Sequence, residues 1–211
     1  MRLGVDEAGK GPVLGSMFAA AVRVDPGTLP GGVADSKSLS AGRREVVAAD
    51  VREAADAVAV AEIPVDRVDD PESNMNELTV AAHADALAPV AEDGDEAYVD
   101  AGDTNAARFG RAVAAGVPAS VDLCAEHRAD ETYPVVSAAS VVAKVERDAH
   151  VSLLGAEYGD VGSGYPGDPT TRAFLREFVA DHGCLPDCAR ESWQTSRDVL
   201  VAAEQSSLGD F

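Results

Sequence analysis

The spacing of apolar and polar positions divides the chain into short elements. Residues 2–7 (RLGVDE) alternate weakly and predict a strand leading into a glycine-rich turn, Ala8-Gly9-Lys10-Gly11-Pro12. Residues 13–24 (VLGSMFAAAVRV) are mostly apolar and predict a strand beside it, and the glycines and prolines from Gly27 to Lys37 predict a loop. Ser40 is placed to cap a helix over about 41–56, with Val46, Val47, Ala54 and Ala55 on its apolar side. Residues 57–65 (AVAVAEIPV) return to strand. Asn74 or Asn76 caps a helix through about residue 88. The segment Glu96 to Asp100 (EAYVD) has the form of a buried strand ending on an acid, and Thr104-Asn105 opens another short helix. Residues 119–125 predict a further strand, Ser137 caps a helix over about 138–154, and 162–169 form a loop. The remainder predicts helix broken at Gly183 to Pro186.

Adjacent early strands followed by alternating strands and helices predict an α/β sheet of mixed direction. A length of 211 residues suits one domain with a small appendage, which we expect to divide as a main part over 1–170 and a C-terminal helical segment over 171–211. That length buries a core without disulfide staples. Apolar residues make up 46% and aromatics 5%, so the core is expected to be rich in Ala and Val. No window approaches the roughly 18 unbroken apolar residues of a membrane span, and acids at positions 6 and 7 break the order of a signal peptide. Three cysteines, an odd number, favour a reducing cytoplasm over a disulfide framework.

Charge changes the picture. There are 37 acids against 17 Lys and Arg, for a net charge of −20, and only Lys10, Lys37 and Lys144 are lysines. Acid-rich chains are often disordered, but the apolar content and periodicity argue against that here. The alternative is a surface suited to concentrated salt. At about 1 M salt the Debye length falls to roughly 3 Å and self-repulsion is screened. A halophilic, archaeal source is therefore expected, and bulk charge does not exclude nucleic acid as a partner.

The segment from Gly4 to Gly11 comes near a phosphate-binding loop. That motif needs Ser or Thr after the lysine, where Gly11 stands, and Asp6 and Glu7 would repel a triphosphate. As carboxylates ending a strand, the same two residues offer hard oxygen ligands to Mg²⁺ or Mn²⁺. Neighbouring strand residues face opposite ways, so both share a site only if the strand ends or twists there. Taken alone, this segment is better read as a surface turn with solvated acids. Asp100 ends a second apolar strand, and Asp130 follows a third. Carboxylates at several strand ends of one sheet would bind two divalent ions, which activate a water and stabilise the leaving oxygen of a phosphodiester. In so acidic a chain, each Asp by itself is more often a solvated residue.

Lys144 and Arg147 fall near one helix face with Ser140 a turn earlier, either to meet phosphates or to face solvent. Tyr165 is held in an exposed Gly/Pro turn that either offers the ring for stacking on a sugar or base or packs it on the core edge. His182, Cys184 and Cys188 lie close together, but their spacing matches no usual four-ligand zinc site. Trp193 is expected to anchor the C-terminal helices.

Together these segments resemble the ribonuclease HII family. The resemblance rests on GVDEAGKGPVLG at 4–15, DSKSL at 35–39, MNEL at 75–78, YVDAGDTN at 98–105, EHRADETYPVVSAASVVAKVERD at 126–148, GSGYPGDPTT at 162–171 and SWQT at 192–195. It implies a ribonuclease H-like fold, a mixed five-stranded sheet flanked by helices with a small C-terminal helical part. It implies endonucleolytic cleavage of the RNA strand of RNA/DNA hybrids and at single ribonucleotides in duplex DNA, leaving 5′-phosphate and 3′-hydroxyl ends. The implied catalytic and metal-binding acids are Asp6, Glu7, Asp100 and Asp130, holding two Mn²⁺ or Mg²⁺ ions. The implied substrate contacts are Gly9, Lys10 and Gly11, Lys37, Lys144 and Arg147 for phosphates, and Tyr165 as the junction-sensing tyrosine. Many family members carry Arg where Lys10 stands; Lys keeps the charge without the planar fork. A monomer is expected, with a sliding clamp as a possible partner. The rivals are a phosphate-loop NTPase, a noncatalytic hybrid-binding module and a type 1 ribonuclease H, the last disfavoured by the GKG turn and the GYP loop.

Overall fold

The computed structural model describes residues 1–33 and 39–209. Their contacts cluster into two compact units. The first comprises Met1–Lys10, Met17–Ile63 and Asn74–Asp148, and the second Gly11–Ser16, Pro64–Ser73 and Ala149–Phe211. This partition differs from the expected one at residue 170, because the second unit begins earlier and takes in two short upstream segments.

The first unit is built on a five-stranded sheet in the order β3-β2-β1-β4-β5. Strand β1 (Arg2–Ala8) pairs antiparallel with β2 (Met17–Val24), which pairs antiparallel with β3 (Ala57–Ile63). On its other side β1 runs parallel to β4 (Glu96–Asp100), which runs parallel to β5 (Asp122–Glu126). The mixed sheet is the one expected. Register places Val5 beside Val99, so the C-terminal ends of β1 and β4 lie side by side.

Three helix starts follow the expected capping chemistry. The Ser40 hydroxyl accepts from the Arg43 amide at the head of α1 (Ala41–Ala54). Asn74 accepts from the Asn76 and Glu77 amides ahead of α3 (Met75–Leu87), and Asn105 from the Arg108 amide ahead of α4 (Ala106–Ala115). Two short helices, α2 (Val65–Val68) and α5 (Ala129–Thr132), carry too few residues to leave a periodic signal. Helix α6 (Pro134–Tyr158) starts earlier than expected. Pro134 suits the first turn of a helix, and Ser137 lies inside, its hydroxyl donating to the Val33 carbonyl rather than capping. In α1 the buried side is Val47, Ala48 and Val51, while Val46 is 48% exposed.

One face of the sheet packs Ala20, Val22 and Val24 against Val47, Ala48 and Val51 of α1 and the Val/Ala run 135–143 of α6. The alternate face receives α3, which contacts β1, β2 and β3, and α4, which covers β5. Gly4 shows how tight the first face is: a Cβ there would lie 2.1 Å from the Val135 carbonyl oxygen.

The second unit has its own core of Val13, Leu14, Leu154, Leu175, Val179 and Val199, among others, between α7 (Pro169–His182) and α8 (Gln194–Gly209). Residues 13–15, expected as strand continuous with β2, belong here. The Val13 amide donates to the Gly164 carbonyl, the Gly15 amide to the Cys188 carbonyl, and the Arg190 amide to the Val13 carbonyl, each at 2.8 Å. The fully buried Arg190 donates from Nε to the Gly15 carbonyl at 2.9 Å, with its guanidinium 4.8 Å from the Trp193 ring centre. No helix among the described residues is long and apolar enough to cross a membrane.

Candidate active site

Strand β1 does not end at Glu7 but continues through Ala8, paired with Phe18. Alternation therefore sends Asp6 and Glu7 to opposite faces of the sheet. Asp6 turns toward α6, where the Ser140 hydroxyl hydrogen-bonds to it. Glu7 turns toward α3, where Nε2 of His83 lies 2.8 Å from its Oε2. The two carboxyls are thus turned to opposite faces at one strand end, close enough that the charge of Glu7 acts on Asp6.

Asp6 is 5% exposed. Burial, then the charges of Glu7 and Asp100, push its carboxyl well above the usual range, against the hydrogen bond from Ser140. Its Oδ1 also accepts from the Glu7 amide at 2.8 Å. Burial works against ionisation of Glu7 too, but the hydrogen bond from His83 and the nearby charges of His83 and Lys10 outweigh it, and the net shift is downward.

Asp100, at the end of β4, accepts from the Ala129 amide at 2.9 Å, which ties it to the start of α5. Burial raises its carboxyl; that amide opposes the shift, while Asp130 and Glu7 add to it. Asp130 sits in the first turn of α5 and is buried. The residue entering that turn, Arg128, holds a left-handed backbone (φ 59°), a conformation uncommon outside glycine. Its guanidinium donates to Glu131 at 2.8 and 3.0 Å.

Mutual repulsion among carboxylates at one sheet end calls for compensating positive charge. Four carboxylates form the hard oxygen donor set that Mg²⁺ and Mn²⁺ prefer, so these residues fit such an ion by donor chemistry and by charge. Among the described residues, no three His, Cys, Asp or Glu side chains are already gathered closely enough to hold a metal. An ion would have to draw the carboxylates together.

The expected substrate contacts divide between the two units. In the first, Gly9 has φ 89°, which favours glycine, and Lys10 Nζ donates to the Gly102 carbonyl. Lys144 Nζ donates to Ser140 Oγ at 2.7 Å, so lysine, serine and Asp6 form one hydrogen-bonded chain. Arg147 is 6% exposed and presents little of its guanidinium at the surface. In the second unit, the Gly11 carbonyl accepts from Trp193 Nε1 at 3.2 Å, and a Cβ on Gly11 would lie 3.8 Å from the Tyr165 ring. Tyr165 is 48% exposed, on a loop braced by Asp168, whose Oδ2 accepts from the Ser163 amide and hydroxyl at 2.7 and 2.6 Å. Lys37 lies outside the described residues. His182 Nδ1 bonds to the Phe178 carbonyl at 2.9 Å and its ring stacks on Phe178, while Cys188 is buried and its thiol is pushed up to about 12, chiefly by that burial. His83 was absent from the sequence reading. The available signal was a lone histidine at an apolar position of a capped helix, which reads first as core.

The ribonuclease HII family model matches residues 3–196. A ribonuclease HII from the halophilic archaeon Haloarcula marismortui is 64% identical over 211 residues, covering all of both chains. Among solved structures, the ribonuclease H2 of Pyrococcus horikoshii superimposes with a TM-score of 0.90 at 35% identity, covering 97% of this chain and 99% of that one. The ribonuclease HII of Archaeoglobus fulgidus, solved in complex with PCNA, does so with a TM-score of 0.86 at 38% identity over the whole of both chains. Agreement this extensive, in sequence and in backbone, makes the conclusion direct: the chain belongs to the ribonuclease HII family.

Proposed function

We propose that the chain cuts the RNA strand of RNA/DNA hybrids and also acts at a single ribonucleotide embedded in duplex DNA, leaving 5′-phosphate and 3′-hydroxyl ends. Family membership makes it a ribonuclease H, a metal-dependent phosphodiester hydrolase active on RNA/DNA hybrids. The observation that carries the site is the buried Asp6 at the end of β1, next to β4 and Asp100, with its carboxyl raised by burial and by its acidic neighbours. A pair of bound divalent ions, Mg²⁺ or Mn²⁺, would supply positive charge against the phosphate and lower the pKa of an attacking water.

The chain's own residues do the rest. Asp6 and Asp100 hold the ions, and Glu7 and Asp130 complete their surroundings. Ser140 fixes the Asp6 carboxylate. Lys144 brings positive charge to the same chain of hydrogen bonds, and we assign it, with Lys37 and Arg147, to the phosphates. The 2′-hydroxyl separates RNA from DNA. We assign its recognition to backbone groups of Gly9, Lys10 and Gly11 and to the Tyr165 hydroxyl, with the Tyr165 ring stacking on the following deoxyribose. In concentrated salt the counterion-release contribution to binding is small, so affinity rests on hydrogen bonds and stacking. We further propose a monomer in a reducing cytoplasm, in keeping with three free cysteines, and a sliding clamp as partner, supported by the likeness to the PCNA-bound relative.

The test is one incubation series: duplex DNA carrying one ribonucleotide, and a long hybrid, each with Mn²⁺ or with EDTA, over several KCl concentrations. Cleavage that leaves a 3′-hydroxyl on one fragment and a 5′-phosphate on the other, and its loss in EDTA, are expected. Tyr165→Ala is expected to lower the rate on the lone ribonucleotide by roughly 10-fold more than on the hybrid, a loss comparable to one base-stacking contact. Equal losses on the two substrates would contradict junction sensing, and failure of the unmodified chain to cut the lone ribonucleotide would remove that part of the function.

A further inference from the structure

His83 has no role in the reading above, yet its surroundings leave it little else to do. It lies on α3 among Leu78, Ala82, Ala86 and Leu87 and is fully buried. Its ring meets Phe109 edge-on, with centroids 5.1 Å apart and an interplanar angle of 85°. An apolar side chain would satisfy that environment without the desolvation cost of an imidazole. Among the described residues, the polar atom that answers the ring is Glu7 Oε2, 2.8 Å from Nε2. An ionised carboxylate only accepts, so Nε2 carries the hydrogen. The other nitrogen, Nδ1, is buried with no hydrogen-bond partner among the described residues.

The contact also distinguishes the two oxygens of Glu7. Oε2 is taken by His83, whereas Oε1 lies on the side of the loop that follows β4, where a Cβ on Gly102 would be 3.2 Å from it. Because alternation turns Glu7 away from Asp6, some group on the α3 side has to hold its carboxylate in one orientation.

We propose that His83 is a positioning residue for the metal site, fixing Glu7 through Oε2 so that Oε1 is left to ligate a divalent ion. The inference rests on the reading of Glu7 as a metal ligand. Imidazole and carboxylate groups that orient ligands in this way affect metal affinity as well as rate.

The test measures Mn²⁺ affinity by isothermal titration calorimetry on the folded full chain in KCl, alongside kcat and KM on a hybrid. Four variants are compared: His83→Phe, which keeps a ring against Phe109 but has no donor; His83→Gln, whose amide N–H donates; His83→Asn, polar but too short for the same reach; and Glu7→Gln. Circular dichroism establishes which of them fold. His83→Phe and His83→Asn are expected to weaken Mn²⁺ binding by roughly 10- to 100-fold, with KM for the hybrid unchanged, and His83→Gln to recover most of the loss. If either His83→Phe or His83→Asn fails to fold, the other gives the comparison. Mn²⁺ affinity unchanged or tighter in the folded His83 variants, while Glu7→Gln weakens it, would overturn the role of His83. Recovery by Gln no better than by Phe would overturn it as well, by making the effect one of packing. Unchanged affinity in Glu7→Gln would instead overturn the ligand reading of Glu7.

Discussion

Asp6 lies where stability and chemistry pull apart. Its carboxylate is buried beside Glu7 and Asp100, so without an ion the folded chain bears repulsion that the unfolded chain relieves in water. Asp6→Asn removes that charge and keeps the shape. The variant is expected to lose hybrid cleavage while its melting temperature in EDTA rises, by about 2–4 °C for each kcal/mol of repulsion relieved. Turnover with Mg²⁺ or Mn²⁺ would refute the metal role, and a lower melting temperature would refute the repulsion. Asp6 and Asp100 were marked in the sequence as site candidates, as acids closing apolar strands and through the family resemblance. His83 was not, because a histidine within an apolar helix stripe looks the same whether its partner is a carboxylate or nothing. The pairing across 76 residues exists only in three dimensions. Arg190 was hidden similarly: nothing local to it marks a guanidinium reserved for the Gly15 carbonyl.

At the level of elements, the approach of α6 to β1 sets where Asp6 meets Ser140. Gly4, two residues before Asp6, permits it, since any Cβ there would run into the Val135 backbone at 2.1 Å. That neighbour is main chain at the start of a helix and cannot swing aside. Gly4→Ala is expected to destabilise the fold by about 3 kcal/mol or more, at the severe end of overpacking, and to lower activity through Asp6. Chemical denaturation measures the first effect; a midpoint equal to that of the unsubstituted chain would show that the helix start has freedom to shift. Helix starts marked by Ser40, Asn74 and Asn105 were readable because capping is a local hydrogen bond between near neighbours. The start of α6 was misplaced because Ser137 looks like a cap from sequence alone, while Pro134 is equally suited to open the helix. The beginning of β2 was misplaced for another reason. Residues 13–15 are apolar enough to be strand, but their partners are at 164 and 188–190, and periodicity carries no information about partners that distant.

For the whole molecule, the mixed sheet with flanking helices was readable from the order of the elements, whereas the interleaved membership of the two units was not, being a matter of long-range contacts. A net charge of −20 would ordinarily repel a polyanionic substrate. The halophilic character of the 64%-identical relative supplies the physical answer, since concentrated salt screens that repulsion to within a few ångströms, to roughly 3 Å at 1 M. What screening leaves intact is short-range, and on the proposed reading the acidic sheet end is where a short-range, ion-mediated grip on phosphate would act. Anomalous diffraction from crystals of the chain soaked in Mn²⁺ addresses that claim most directly. Manganese peaks bonded to carboxylate oxygens of Asp6, Glu7, Asp100 and Asp130 are the predicted result. Manganese bound elsewhere on the acidic surface, with those four carboxylates still apart, would contradict it.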